Sequence, residues 1–92
     1  MKIVVRNYTG KGATELFDLL EQNKTELLGL LKTIPSLISY TLARTDDGGV
    51  SVTICREAAG IEESVKIARE WIRKNASAIG AGAPQITQGT VI

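Results

Sequence analysis

The hydrophobic and polar positions of the chain alternate between two periods. Lys2 to Tyr8 holds the β-branched run Ile3-Val4-Val5 ahead of a Thr9-Gly10 break, and reads as a strand. On a strand, Ile3, Val5 and Asn7 point one way and Val4, Arg6 and Tyr8 the other, so both faces carry apolar residues. From Gly12 to about Thr33 the period changes. Ala13, Leu16, Phe17, Leu20, Leu27, Leu28 and Leu31 recur at spacings of three, four and seven, which predicts a helix. Asn23 and Lys24 interrupt that stripe, so the helix is expected to bend or restart there with Lys24 turned outward. The competing reading has a polar group facing an internal cavity. Pro35 ends the segment, because its ring and missing N–H cannot continue the ladder.

Two β-rich runs, Leu37 to Thr45 and Val50 to Arg56, flank Asp46-Asp47-Gly48-Gly49 and predict a hairpin. A four-residue or a two-residue loop gives the same parity, pairing Thr45 with Val50 and Ala43 with Val52, and puts Thr41, Ala43, Val50, Val52 and Ile54 on one face, whereas a three-residue loop would mix the faces. Tyr40, Leu42, Arg44, Ser51, Thr53 and Cys55 then share the other. Ile61 to about Asn75 is a second helix, with Glu62 and Glu63 in its first turn and Arg73 and Lys74 in its last, as the helix dipole favours. Its apolar stripe is Ile61, Val65, Ala68, Trp71 and Ile72. An Ala- and Gly-rich loop over 76–83 leads past Pro84 to a last strand, Gln85 to Ile92, with Ile86 and Ile92 on one face.

The order strand, helix, strand, strand, helix, strand predicts an α+β, ferredoxin-like βαββαβ fold. Its four-stranded antiparallel sheet carries two helices on one face. At 92 residues the chain fits a single domain spanning 1–92. A domain of this size buries only roughly 63–65% of its unfolded surface. Its strands are apolar on both sides, and two helices cover one, so a second subunit is expected on the other.

Composition mostly removes possibilities. With no histidine, the commonest general base and nitrogen metal ligand are missing, along with every Ser-His or Cys-His nucleophile. One cysteine, Cys55, excludes internal disulfides and structural zinc, and as a buried apolar thiol it is expected to be inert. Eleven basic residues against ten acidic ones are interspersed, without the basic stripe that phosphate neutralisation requires, so nucleic acid is not an expected partner. No apolar run approaches the roughly 20 residues that cross a bilayer, and the first residues lack a signal-peptide pattern. A cytoplasmic location is therefore expected, without a membrane partner.

No motif carries chemistry. Gly10-Lys11-Gly12 and Gly80-Ala81-Gly82 do not complete a phosphate loop, since Gln85 stands where a third glycine would be needed. The third strand, Val50 to Ile54, offers no aromatic on which a base could stack. The acids fall on helix faces, helix starts and the hairpin turn. Four residues remain as candidates: Asn7, Tyr40, Arg44 and Trp71. Each also has a plain structural role, as turn residue, half-buried strand residue, edge charge and packing anchor respectively.

Four stretches carry a resemblance across nearly the whole chain. They are MKIVVRNYTG, the long helix ending at Pro35, the hairpin YTLARTDDGGVSVTIC and the helix EESVKIAREWIRKN. In element order and size the chain resembles the dimeric α/β-barrel superfamily. That superfamily includes antibiotic-biosynthesis-monooxygenase-like, muconolactone-isomerase-like and stress-responsive barrel proteins. The resemblance implies two sheets face to face across a homodimer, and a ligand pocket between each sheet and its helices. Haem-degrading members use an asparagine, a tryptophan and a haem-ligating histidine; Asn7 and Trp71 sit at comparable places, but the histidine has no counterpart. Cofactor-free quinone-forming members use an Asn, Trp, Tyr and Arg constellation, whose residue types Asn7, Trp71, Tyr40 and Arg44 supply. The expected function is binding of a small apolar or aromatic ligand by a homodimer, with no cofactor and no metal. The alternative is a cofactor-independent oxygenase or isomerase acting in the same pocket, or a dimeric scaffold with a filled core.

Overall fold

The computed structural model describes all 92 residues. Its strands are β1 (Lys2–Thr9), β2 (Leu37–Thr45), β3 (Gly48–Cys55) and β4 (Gln85–Thr90), and its helices are α1 (Ala13–Gln22), α2 (Lys24–Leu31) and α3 (Ala58–Asn75). The strands form one antiparallel sheet in the order β2-β3-β1-β4. α1 and α3 pack on β1 and β3, and α2 packs against α3. Leu16, Phe17 and Leu20 of α1, Leu27 and Leu31 of α2, and Ile61, Ala68 and Trp71 of α3 fill the layer between helices and sheet. The α+β, βαββαβ arrangement expected from the sequence is the one observed. No helix is long and apolar enough to cross a membrane.

The long first helix is two helices. The Asn23 side-chain amide donates to the Leu19 carbonyl at 2.9 Å, alongside the Asn23 N–H at 3.1 Å, and so caps the end of α1 where the residue leaves helical geometry (φ −114°, ψ 19°). The chain restarts at Lys24, whose side chain is exposed, as the lapse in the apolar stripe foretold. α3 begins at Ala58 rather than Ile61, directly after an extended Glu57, because small residues ahead of the first large apolar one still form its opening turn. The 76–83 loop contains a 3-10 turn at Ser77–Ile79. β4 stops at Thr90, short of the expected Ile92, and a last backbone bond ties the Val91 N–H to the Met1 carbonyl at 2.9 Å.

The hairpin has the expected faces and the shorter, two-residue loop of the two that keep them, so its partners lie two residues from the pairs named from the sequence. Thr45 pairs with Gly48 and Ala43 with Val50, so Asp46-Asp47 alone makes the turn. Both glycines belong to β3. A Cβ on Gly49 would lie inside the Phe17 ring of α1, and one on Gly48 would strike the Tyr8 carbonyl. Glycine is needed here for close approach and not for the turn. A second close approach lies at Gly12, which has φ +84° and precedes α1. A Cβ there would sit 2.9 Å from the Ala81 Cα, so the turn before α1 rests directly on the segment between α3 and β4.

Side-chain direction divides the sheet. Val4, Arg6 and Tyr8 of β1 and Ser51, Thr53 and Cys55 of β3 are buried beneath the helices. Ile3, Val5, Val50, Val52 and Ile54 face the other way and are only half-buried, because no element of the chain covers them.

Candidate functional site

On the helix side of β1 and β4 lies a cavity of about 360 Å³. Leu16 of α1, Val65 and Ile72 of α3, and Ile86 of β4 give it apolar walls, and the segment from Ala81 to Pro84 closes it above. Its volume falls in the range of small-molecule sites. Its polar lining is Arg6 and Tyr8 from β1 and Arg69 from α3, with no carboxylate. A larger depression of about 440 Å³ lies beside Pro35, Ser36, Arg56, Glu57 and Glu63. That one is more open, carries charges of both signs and has two hydrophobic residues among nine in its lining. The smaller cavity has the apolar walls and few convergent polar groups of a binding site.

Arg6 is the unusual residue of this cavity. It is 4% exposed, and its Nε–H donates to Ser51 Oγ at 3.1 Å. The ion pairs of the chain both belong to Arg44, so Arg6 has no anionic partner. Guanidinium carries five N–H donors, and Ser51 takes one. A buried cation is costly unless a counter-charge answers it.

Two phenols lie within reach of this charge. Burial pushes the Tyr8 hydroxyl above its ordinary pKa, and the nearby Arg6 and Arg69 pull it back part of the way. Tyr40 is pushed up to about 12, first by burial, against the pull of Arg6 and with a smaller push from Tyr8. Neither phenol forms a hydrogen bond within the chain, and both remain neutral at physiological pH. The Tyr8 ring packs edge-on against Phe17, with centroids 5.8 Å apart at 62°, which fixes its direction beneath α1.

The four residues singled out from the sequence lie in separate environments. Asn7 follows Arg6 but points from the opposite, open face, where it pairs with Val50 and Gln85 and is exposed. Tyr40 alone is near the Arg6 charge, on the helix side of β2. Arg44 is exposed, 2.9 Å from Asp18 and 3.0 Å from Glu21, and fastens the end of β2 to α1. Hydrogen bonds to Glu21 and then to Asp18 raise its pKa further. Trp71 is buried, and its Nε1–H donates to Glu26 Oε2 at 2.7 Å, which joins α3 to α2. Cys55 is fully buried as a free thiol, and burial raises its pKa against a smaller lowering by Ser36. No cluster of three or more potential metal ligands is present.

No family model matches the sequence, and no curated protein matches it. Solved structures match closely in shape. A protein of unknown function from Nitrosomonas europaea, NE2512, superimposes with a TM-score of 0.72 at 15% identity, covering 99% of this chain and 87% of that one. A monooxygenase from the gene ActVA-Orf6 of Streptomyces coelicolor, in complex with nanaomycin D, gives 0.69 at 18% identity, covering 99% and 86%. A dimeric ferredoxin-like protein from an uncultured marine organism gives 0.67 at 14% identity, covering 99% and 92%. The fold is ferredoxin-like. Its structural neighbours include a monooxygenase and a dimeric ferredoxin-like protein, consistent with the superfamily that the sequence resembles. At these identities the likeness is one of fold.

Within this ferredoxin-like sheet, the residues that sequence reasoning missed are Arg6, Tyr8 and Arg69. A signal for the first two is present in the alternation of β1, where Val4, Arg6 and Tyr8 share a face. A charge in the middle of a strand with apolar residues on both sides must lie under something. Arg69 carries no such signal, because a basic residue on a helix is ordinary until its neighbours are known.

Proposed function

We propose that this chain is a homodimeric small-molecule-binding protein whose ligand, a small aromatic or apolar body, lies in the cavity between sheet and helices. The cavity of about 360 Å³, with Leu16, Val65, Ile72 and Ile86 around a single buried polar floor, carries this reading. The uncovered face of Ile3, Val5, Val50, Val52 and Ile54 supports the dimer, since a second copy packing there removes it from water. Such a dimer leaves the cavity free, because Arg6 and the helices lie on the other side of each sheet. The reading places the protein in the cytoplasm, where a lone buried thiol stays reduced.

Light scattering after size exclusion at micromolar concentration is expected to give twice the 9.9 kDa chain mass. Titration calorimetry with 2-naphthol, a probe of fitting size, is expected to show one site per chain. Val65→Trp, which fills the cavity, should abolish it. Binding that survives Val65→Trp would place the ligand elsewhere.

A second reading, a cofactor-independent oxygenase or isomerase, loses the Asn7, Tyr40, Arg44 and Trp71 constellation, whose members lie apart, and rests on one other observation. A buried guanidinium beside the neutral Tyr8 phenol in a largely apolar cavity can stabilise negative charge that develops on an aromatic substrate. Oxygen uptake in the presence of a naphthol, lost in Arg6→Met, is the expected signature. Binding without turnover keeps the first reading alone.

A further inference from the structure

Resting on the proposal that this cavity binds a small molecule, the geometry points to the charge of that ligand. We infer that it is an organic monoanion, an aromatic or alicyclic body bearing one carboxylate that the Arg6 guanidinium holds at the floor of the cavity.

The argument starts from what a purely apolar ligand would require. The walls formed by Leu16, Val65 and Ile72 would suit it, and a methionine or leucine at position 6 would complete them. Arginine there carries a desolvation cost that an aliphatic chain of like volume does not, although its terminal nitrogens keep some exposure within the cavity. Arg6 is nevertheless 4% exposed and spends one donor on Ser51. Its remaining donors have no acceptor within the chain, and they border the cavity. A neutral ligand would cover those donors without answering them. A carboxylate answers them in pairs, because its two oxygens match the planar fork of the guanidinium.

The surroundings agree. No Asp or Glu lines the cavity to compete for Arg6, and the second charged group there, Arg69, is also positive. Tyr8 and Tyr40 add no negative charge, because burial keeps both protonated. The ligand is therefore the sole source of negative charge in the cavity. Arg69, exposed on α3 at the rim, adds to the field that draws an anion inward.

The test is titration calorimetry of the full chain at pH 7 with 2-naphthoate and with 2-naphthylmethanol, a neutral probe of nearly the same size. The wild-type chain is expected to bind the carboxylate about 10- to 100-fold more tightly, the span of a desolvated charge-assisted hydrogen bond. In Arg6→Met that preference should vanish while 2-naphthylmethanol binds as well as before or better. Arg6→Lys, which keeps the charge without the fork, should retain part of the preference and covers the case in which the methionine variant does not fold. Equal affinity of the wild-type chain for the two probes, or a preference that survives Arg6→Met, overturns the inference and leaves the pocket standing. Failure of both probes to bind overturns the pocket reading and the inference together.

Discussion

Along β3, Ser51, Thr53 and Cys55 lie beneath the helices, and Val50, Val52 and Ile54 face away from them. β1 repeats the arrangement, with Arg6 and Tyr8 covered and Ile3 and Val5 uncovered. Burial would ordinarily put the aliphatic set under the helices and the polar set outside. Here the middle strands depart from that rule in part: Arg6, Ser51 and Thr53 lie under the helices beside Val4, Tyr8 and Cys55, while the aliphatic residues of the open face share it with Asn7. The leucines of α1 and α2 fill much of the covered layer, which frees the middle strands to present polar groups there. Each side is thereby incomplete in a different way. The open side has apolar surface without cover, and the covered side has charge without a counter-charge. The first calls for a protein surface and the second for a small anion.

The open side gives the largest expected effect. Val52→Asp puts an unanswered charge at the centre of the face we assign to the dimer, at a cost of about 3–5 kcal/mol. Light scattering should then show the 9.9 kDa monomer, with a lower melting temperature. An unchanged dimer would mean that the aliphatic face is not the contact. On the covered side, Gly49→Ala forces α1 away from β3 through the Phe17 ring and is expected to cost about 1–3 kcal/mol, read from urea denaturation.

The polar groups under the helices also predict a pH dependence. Tyr40 holds its proton to about pH 12 in the folded chain, against an ordinary value of 10.0. Its stabilising contribution is thus complete below pH 10 and is lost as pH rises from there through about 12. Tyr40→Phe should flatten that alkaline fall by up to about 2 kcal/mol. Some slope should persist, because Tyr8 shifts in the same direction. A denaturation midpoint followed from pH 8 upward checks this, and identical slopes in the two chains would contradict it. The smallest effect is expected at Arg44. Its two ion pairs are exposed, so Arg44→Ala should leave the melting temperature and ligand affinity nearly unchanged.

The two arginines show how far the sequence could be read. Arg44 stands out because it flanks a hairpin turn, yet it is a surface charge with two acidic neighbours. Arg6 is inconspicuous in a short strand, and its importance depends on helices that begin at Ala13 and at Ala58, later in the chain. Element order, the helix break at Asn23 and the division of hairpin faces were legible because each is set by local periodicity. The choice between a four-residue and a two-residue loop was not, since two glycines after two aspartates look like a turn until Phe17 is known to lie on Gly49 and the Tyr8 carbonyl on Gly48. Asn7 and Arg6 differ by one position and therefore by one whole face of the sheet. Residue type selected the first, and side-chain direction favours the second.

The contact between Gly12 and Ala81 bears on how the ligand's size is controlled. The segment that closes the cavity is held against the start of α1 by backbone meeting backbone, with no side chain between to compress or swing aside. That contact acts as a fixed stop: it sets where the closing segment stands over the cavity, from a residue outside the lining. A side chain at residue 12 would meet Ala81 and strain the left-handed backbone there, so it is expected to displace the Ala81–Pro84 lining and change the shape of the cavity from a position outside it.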